Sequence, residues 1–369
     1  MRRAIAVSVT VASVLFAVTS TSGYASVSRV AGTATVCTPG VWTQEPANVL
    51  PAMVSGGLND VTVVSPTLAW AVGTYVHGSA YGSLIEKWTG GSSWAVVGTG
   101  GPGVELEAVT SFGASDAWAV GQIASTGITL PLVTHWNGST WTHNTLPKVG
   151  RTDQLGAVSG SSASDIWAIG AYRVGATGHV LLEHYNGTAW SVVSIPASQG
   201  ALALGFGILD LGPDQVYASG QADTGPAQLW EWTGATWHLL PTPAGEGPLA
   251  GSSASDLWTP DYLGGPDLEH FNGTTWKQVG PSNTNVDLYD LAEGSSRAAS
   301  LWSVGFVDNK TTNAITTYIA ENGIRVTSSV PRTPGGLSGV GTGSGLVFAV
   351  GGSTPTTGHP EPLVYESCD

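Results

Sequence analysis

The feature that most constrains this chain is its self-similarity. The stretch LEAVTSFGASDAWAVGQIASTGITLPLVTHWNGSTWTHNTLP begins at Leu106, and LGAVSGSSASDIWAIGAYRVGATGHVLLEHYNGTAWSVVSIP begins at Leu155. An opening L-x-x-V recurs at Leu58–Val61, Leu106–Val109, Leu155–Val158 and Leu337–Val340. Leu288–Leu291 is a near match, and Leu204 opens a looser copy. W-A-V-G recurs at Trp70–Gly73, Trp118–Gly121, Trp167–Gly170 and Trp302–Gly305, with degenerate copies at Tyr217–Gly220 and Phe348–Gly351. The fifth copy stops at Trp258, where Thr259-Pro260 replaces its end. These are seven copies, mostly 48–50 residues apart and about 40 for the fifth. Units of this length bury their apolar faces only against one another.

Each copy reads as four strands. L-x-x-V is strand a, and a Ser/Gly/Asp turn leads to strand b, W-A-V-G. A variable loop leads to strand c, such as LLEHY. Asn-Gly then predicts a two-residue type I′ hairpin, with φ > 0 at both centres. Strand d starts at Trp94, Trp141, Trp190, Trp237 or Trp276. Composition agrees: charged residues are 10% of the chain, against about 25% in an average soluble domain, and 51 residues are Gly. The expected fold is all-β, a seven-bladed β-propeller with four-stranded antiparallel blades and Trp side chains in the wedges between them.

The seventh copy lacks a strand d. After Phe348–Gly351 comes PLVYESCD, which matches strand c. Near the other end, CTPGVWTQEP from Cys37 resembles GSTWTHNTLP, a strand d with no strand c before it. The last blade is therefore expected to be closed by the N-terminal strand. Cys37 and Cys368, the two cysteines, fall where other blades have the Asn-Gly hairpin, so a disulfide would replace the missing turn. Arg2 and Arg3, an apolar Ala4–Val18, and small residues at Gly23 and Ala25 read as a secretory signal peptide over residues 1–25. A flexible segment, 26–36, and one propeller domain, 37–369, follow. Secretion places the chain in an oxidising compartment.

The net charge is −14. That excludes nucleic acid and an anionic membrane surface as partners, since both demand a basic footprint. No segment after the leader is apolar enough to span a membrane. The mature chain is expected to be a monomer.

SASDIWAIG followed by EHYNGTAW resembles the secreted β-propeller repeat common in actinobacteria, with its D-x-W-A-V-G strand and H-W-N-G-T-x-W hairpin. The layout is similar to photosystem II assembly factor propellers, Asp-box sialidases and kelch repeats. The resemblance covers residues 37–369 and implies the fold, not an activity. An Asp-box reads S-x-D-x-G-x-T-W, and the hairpin here lacks that Asp. A sialidase needs an Arg triad, and Arg29, Arg151, Arg173, Arg297, Arg325 and Arg332 occupy no repeated position.

His135, His184 and His270 share one repeat position on strand c. Copies in different blades stand on the order of 10 Å or more apart, too far for one metal. Asp116, Asp165, Asp214 and Asp256 share a position in the a–b turn, where an Asp is expected to accept backbone N–H bonds. Asn137, Asn186, Asn272 and Asn309 head glycosylation sequons, the first three within hairpin turns. Glu105, Asp153, Glu246 and Asp287 lie at the starts of strands a and are expected to ring one mouth of the channel, where oxygen ligands would suit Ca²⁺. No other cofactor is expected. Tyr81, Tyr172, Asp261 and Tyr262 lie in b–c loops on the same face and suit stacking on a sugar. The expected function is a non-catalytic binding or scaffold module for a glycan or an extracellular protein. The alternative is a carbohydrate-active enzyme, a glycoside hydrolase or lyase using carboxylates on that face.

Overall fold

A computed structural model describes residues 41–369, apart from 47, 52, 92, 126, 145, 196–201, 223–226, 244–246, 261–267, 280–284, 296–299, 313, 327–329, 331–332 and 356–358. The described residues form seven four-stranded antiparallel sheets and contain no helix. The innermost strands, a, of blades 1 to 7 are Met53–Ser65, Val104–Gly113, Asp153–Ser162, Leu202–Gly212, Ala250–Ser253, Val286–Glu293 and Gly335–Gly343. Each touches its successor, and that of blade 7 touches that of blade 1, so the sheets close into a ring. This is the seven-bladed propeller expected from the repeat.

Blade 7 is built from both ends of the described chain. Thr43–Glu45 pairs with Pro362–Cys368 in the register Thr43↔Glu366, Gln44↔Tyr365, Glu45↔Val364. The wedges are aromatic, as expected. Trp70 of blade 1 meets Trp136 and Trp141 of blade 2 at 5.4 Å, and Trp118 of blade 2 meets Tyr185 and Trp190 of blade 3. Trp167 of blade 3 meets Trp232 and Trp237 of blade 4. The same contact carries the closure. Trp302 of blade 6 meets Trp42 at 5.3 Å, and Phe348 of blade 7 meets Trp88 and Trp94 of blade 1. Each buried ring removes a large apolar area from water, and edge-on pairs add about 0.5–1.5 kcal/mol beyond it.

The L-x-x-V motif is a β-bulge. Register shifts follow Leu58, Leu106, Leu155, Leu288 and Leu337, so the two x residues oppose one residue of strand b. Leu58, Leu106, Leu155, Leu288 and Leu337 pack in the wedge cores, and residues of the bulge pairs line the axial cavity. The Gly of W-A-V-G answers this bend. A Cβ on Gly73 would stand 2.1 Å from the Gly57 carbonyl oxygen, and one on Gly170 2.1 Å from that of Gln154. Backbone approaches too closely there for any side chain.

The c–d hairpins differ from the sequence reading. Trp136 pairs with Trp141, leaving a four-residue loop, Asn137–Thr140, closed by Asn137 N–H to the Thr140 carbonyl. Gly138 alone takes positive φ, 93°. Asn137 Oδ1 accepts the N–H groups of Ser139 and Thr140, each at 3.0 Å, and Asn186 and Asn272 repeat the pattern. This Asx turn offers the backbone a better acceptor than a type I′ turn does. A two-residue c–d turn with both centres positive is formed at Asn322 (51°) and Gly323 (74°) of blade 6, where Glu321 pairs with Ile324.

Candidate functional site

The residues whose chemistry repeats are consumed by the blades. In blade 2, Asp116 Oδ1 accepts both Trp118 Nε1 and His135 Nε2 at 2.8 Å, while His135 stacks on Trp118 at 4.0 Å. Blade 5 repeats this with Asp256, Trp258 and His270. Blade 3 keeps Asp165, His184 and the stack on Trp167. The Asp in the turn thus binds side chains across its sheet, which corrects the expectation of backbone N–H partners. Where His is absent, Lys87 lies 4.6 Å over Trp70, and Glu231 accepts the Tyr217 hydroxyl at 3.0 Å. Burial pushes the Asp256 carboxyl up, but hydrogen bonds from Ser252, His270 and Trp258 outweigh it and hold the group below the usual range.

The bulge pairs vary from blade to blade, and they meet at the axis. They line a cavity of about 290 Å³ with Asn59 and Asp60, Glu107 and Ala108, Phe206 and Gly207, Tyr289 and Asp290. Its chemistry is acidic, amidic and aromatic. Asn59 Nδ2 donates to Glu107 Oε2 at 3.2 Å and to the Leu106 carbonyl at 2.8 Å. Asp60 Oδ2 accepts the Val109 N–H at 2.8 Å, and Asp290 Oδ2 accepts that of Val340 at 2.8 Å, so each carboxyl reaches into the next blade. Both keep part of their surface open to the cavity yet are enclosed by protein. Burial pushes Asp60 up to about 7 against the N–H groups of Val109 and Val61. Burial and then the Asp60 charge push Asp290 well above the usual range. Burial and then Glu105 raise Glu107. Tyr289 packs in a tilted pair with Phe306, ring centroids 5.6 Å apart, and remains 38% exposed.

The residues expected at the channel mouth have separate local partners. Glu105 accepts the Gln122 amide. Asp153 is fully buried, and its Oδ2 accepts the N–H groups of Val149 and Gly150 at 3.2 and 2.9 Å, holding the loop that enters blade 3. Asp287 is half-buried and lies in the field of Lys310, which is raised by its hydrogen bond to Asp308, then by the charges of Asp308 and Asp287. Tyr81 is half-buried, and Tyr172 stacks on His179 at 4.9 Å. Glu246, Asp261, Tyr262 and Cys37 lie outside the described residues. Among the described residues, no group of three or more His, Cys, Asp or Glu is placed to hold a metal ion. Glu105, Asp153 and Asp287 precede the cavity-lining residues Glu107, Gly156 and Tyr289 by two or three positions. The signal was the x-x of L-x-x-V, which a fixed Leu–Val frame and a bulge would have turned inward.

No family model matches the chain, and no curated protein matches it. Solved structures do. The virginiamycin B lyase of Staphylococcus aureus, in a catalytically inactive form with quinupristin, aligns at a TM-score of 0.56 and 12% identity, covering 89% of this chain and 100% of that one. A chain of the mitotic checkpoint complex aligns at 0.54 and 11% identity, over 93% and 98%. A xyloglucanase from Xanthomonas campestris aligns at 0.53 and 15% identity, over 85% and 53%. The likeness is one of fold: the class is the β-propeller.

Proposed function

We propose that this chain is a secreted, non-catalytic propeller that binds a glycan or an extracellular protein at the channel mouth and the loops around it. One observation supports the reading above others. Side chains that repeat are spent on rim and wedge, whereas those that differ between blades gather around the axial cavity. Variation on a fixed scaffold is where recognition is placed. The cavity is at the small end of ligand pockets, about 300 Å³, which suits one sugar ring or one protruding side chain. Ca²⁺ at Glu105, Asp153, Glu246 and Asp287 belongs to the same proposal. So do the leader over residues 1–25 and a Cys37–Cys368 disulfide. The pairing of Thr43–Glu45 with Pro362–Cys368 supports the disulfide, since it brings the N-terminal strand alongside the strand that ends in Cys368. A glycan array with the purified mature protein, with and without Ca²⁺, tests the binding role.

The enzyme reading has one observation of its own. Asp60 and Asp290 share a cavity, and burial pushes both carboxyls up, Asp60 to about 7, a property of acid–base groups. Release of reducing sugar from any glycan bound on the array, lost in Asp290→Asn, would favour it over the binding module.

A further inference from the structure

The lining of the axial cavity is sorted by blade. Among the described residues that line it, every carboxyl and the one amide come from blades 6, 1 and 2: Asp290, Asn59, Asp60 and Glu107, with Tyr289 beside them. Blades 3, 4 and 5 line the other side with Ala157, Val158, Phe206, Pro248 and Leu249. The Ser159 hydroxyl on that side accepts the Asp210 N–H at 3.0 Å. Because blade 7 closes onto blade 1, blades 6, 7, 1 and 2 form one continuous arc. A polar arc therefore faces an apolar one.

The polar arc presents acceptors. An Asn amide has two N–H groups, and Asn59 spends them on the Leu106 carbonyl and Glu107 Oε2, so Oδ1 is what remains. Glu107 has Oε1 left over. Asp60 takes the Val61 and Val109 N–H groups and Asp290 that of Val340, but each carboxylate oxygen has a second lone pair. The Tyr289 and Ser338 hydroxyls serve in either role. Among the described lining residues there is no Lys, Arg or His. A ligand must therefore bring the donors, and a positive charge with them. Burial works against the charge on Asp60, Glu107 and Asp290, and an incoming cation offsets that cost.

The two arcs also narrow the choice of cation. None of the three carboxyls has both oxygens unbonded, so none offers a guanidinium two parallel bonds. An ammonium turns three donors toward acceptors from different blades. An amino sugar carries hydroxyls around its ring, and some would lie unpartnered against Val158, Phe206 and Leu249. A lysine stem is apolar and suits those residues. Gly156 leaves it room, since an added Cβ there meets nothing within 4 Å.

We propose that the axial cavity takes a primary ammonium on an apolar stem, that of a lysine side chain protruding from a partner protein, with its head on Asn59, Glu107 and Asp290 and its stem along Val158, Phe206 and Leu249. The proposal rests on the reading of this cavity as the binding site and adds the chemistry of the ligand.

Titration of the purified mature protein with Nα-acetyl-lysine methylamide, followed by the NMR shifts of the Val109 and Val340 amides, tests it. The matched norleucine derivative has the stem without the charge. The arginine derivative has the other cation, and glucosamine has an ammonium on a sugar. The lysine derivative should bind about tenfold or more tighter than each of these. Glu107→Gln should weaken it by about tenfold or more, and Gly156→Leu, whose side chain fills the open space, should abolish it. Equal binding of any of the three other compounds, or no shift with the lysine derivative, would overturn the proposal. The wild-type titration decides even where a variant fails to fold. Failure of the binding reading itself looks different. A glycan or protein partner displaced by Gly156→Leu but indifferent to acetylation of its own amines would overturn the ammonium and keep the site. A partner indifferent to Gly156→Leu would overturn the site.

Discussion

Asp369 Oδ1 accepts the indole N–H of Trp302 at 2.9 Å, from one residue past the last strand of blade 7 into blade 6. In blades 2 and 5 the same indole bond is made by an Asp two residues before the Trp, Asp116 or Asp256. Blade 6 has Ser300 at that place, and Ser300 Oγ also donates to Asp369 Oδ1, at 3.1 Å. Asp369 Oδ2 takes the N–H and hydroxyl of Ser295. The neighbouring blade thus supplies the acceptor that blade 6 lacks.

Asp369→Ala would leave the Trp302 N–H and the Ser300 hydroxyl without this acceptor in a buried site. Urea unfolding should show a loss of about 1–3 kcal/mol. Asp369→Asn, which retains an acceptor oxygen, should lose less. Equal stability of the Ala variant and the wild type would mean that water replaces the carboxylate.

The rim clips respond to pH through a carboxyl held low by its hydrogen bonds. Asp256 is held below its ordinary range because its hydrogen bonds outweigh burial. Its contribution is present above the unfolded value and lost as pH falls through the folded one. Asp256→Asn should cost up to about 1 kcal/mol at pH 7, after allowance for solvent screening, and less at pH 2.5. Urea midpoints at the two pH values check this, and a penalty of equal size at both would contradict it.

Glu183 is fully buried on strand c of blade 3, and neither carboxyl oxygen has a hydrogen-bond partner. Burial and then the Asp153 charge push it up to about 8. Its counterpart Glu86 accepts the Asn48 amide at 2.8 Å and is pushed up by burial only to about 7. A raised carboxyl favours the folded state least once pH exceeds its folded value. Glu183→Gln should therefore raise the urea midpoint at pH 9 and leave it nearly unchanged at pH 4. A lower midpoint at pH 9 would show that the carboxylate is stabilised by something beyond these groups.

Much of this was legible beforehand, and the failures have physical causes. Trp42 could be assigned to the last blade because its flanking residues match a strand d and nothing precedes them as strand c. The His and Asp repeats were each visible, but nineteen residues separate Asp116 from His135, and only the b–c register sets them side by side. The Asn-Gly turns misled because a side-chain acceptor competes with backbone geometry. The axial acids were hidden because a bulge shifts the inward-facing residue by one, and periodicity does not announce a bulge.

The proposed Cys37–Cys368 disulfide is checked by mass spectrometry of non-reduced peptides from the secreted protein. A linked pair spanning the two termini is expected, and free thiols at both positions would refute it. Trp42→Ala tests the same blade without touching sulfur. Trp42 is 3% exposed and stands edge-on to Trp302, so its removal should cost about 3–5 kcal/mol. A loss below about 1 kcal/mol would mean that the closing strand adds little to the ring.

The central claim is that the blade-specific residues at the axis form a binding site without chemistry of their own. Its most direct test is the glycan array, run beside a panel of extracellular proteins, with wild type and with Tyr289→Ala and Glu107→Gln. The account predicts at least one partner that wild type holds unchanged and that both variants lose by about tenfold or more. Binding that survives both substitutions, or a bound glycan that is cleaved, would contradict it.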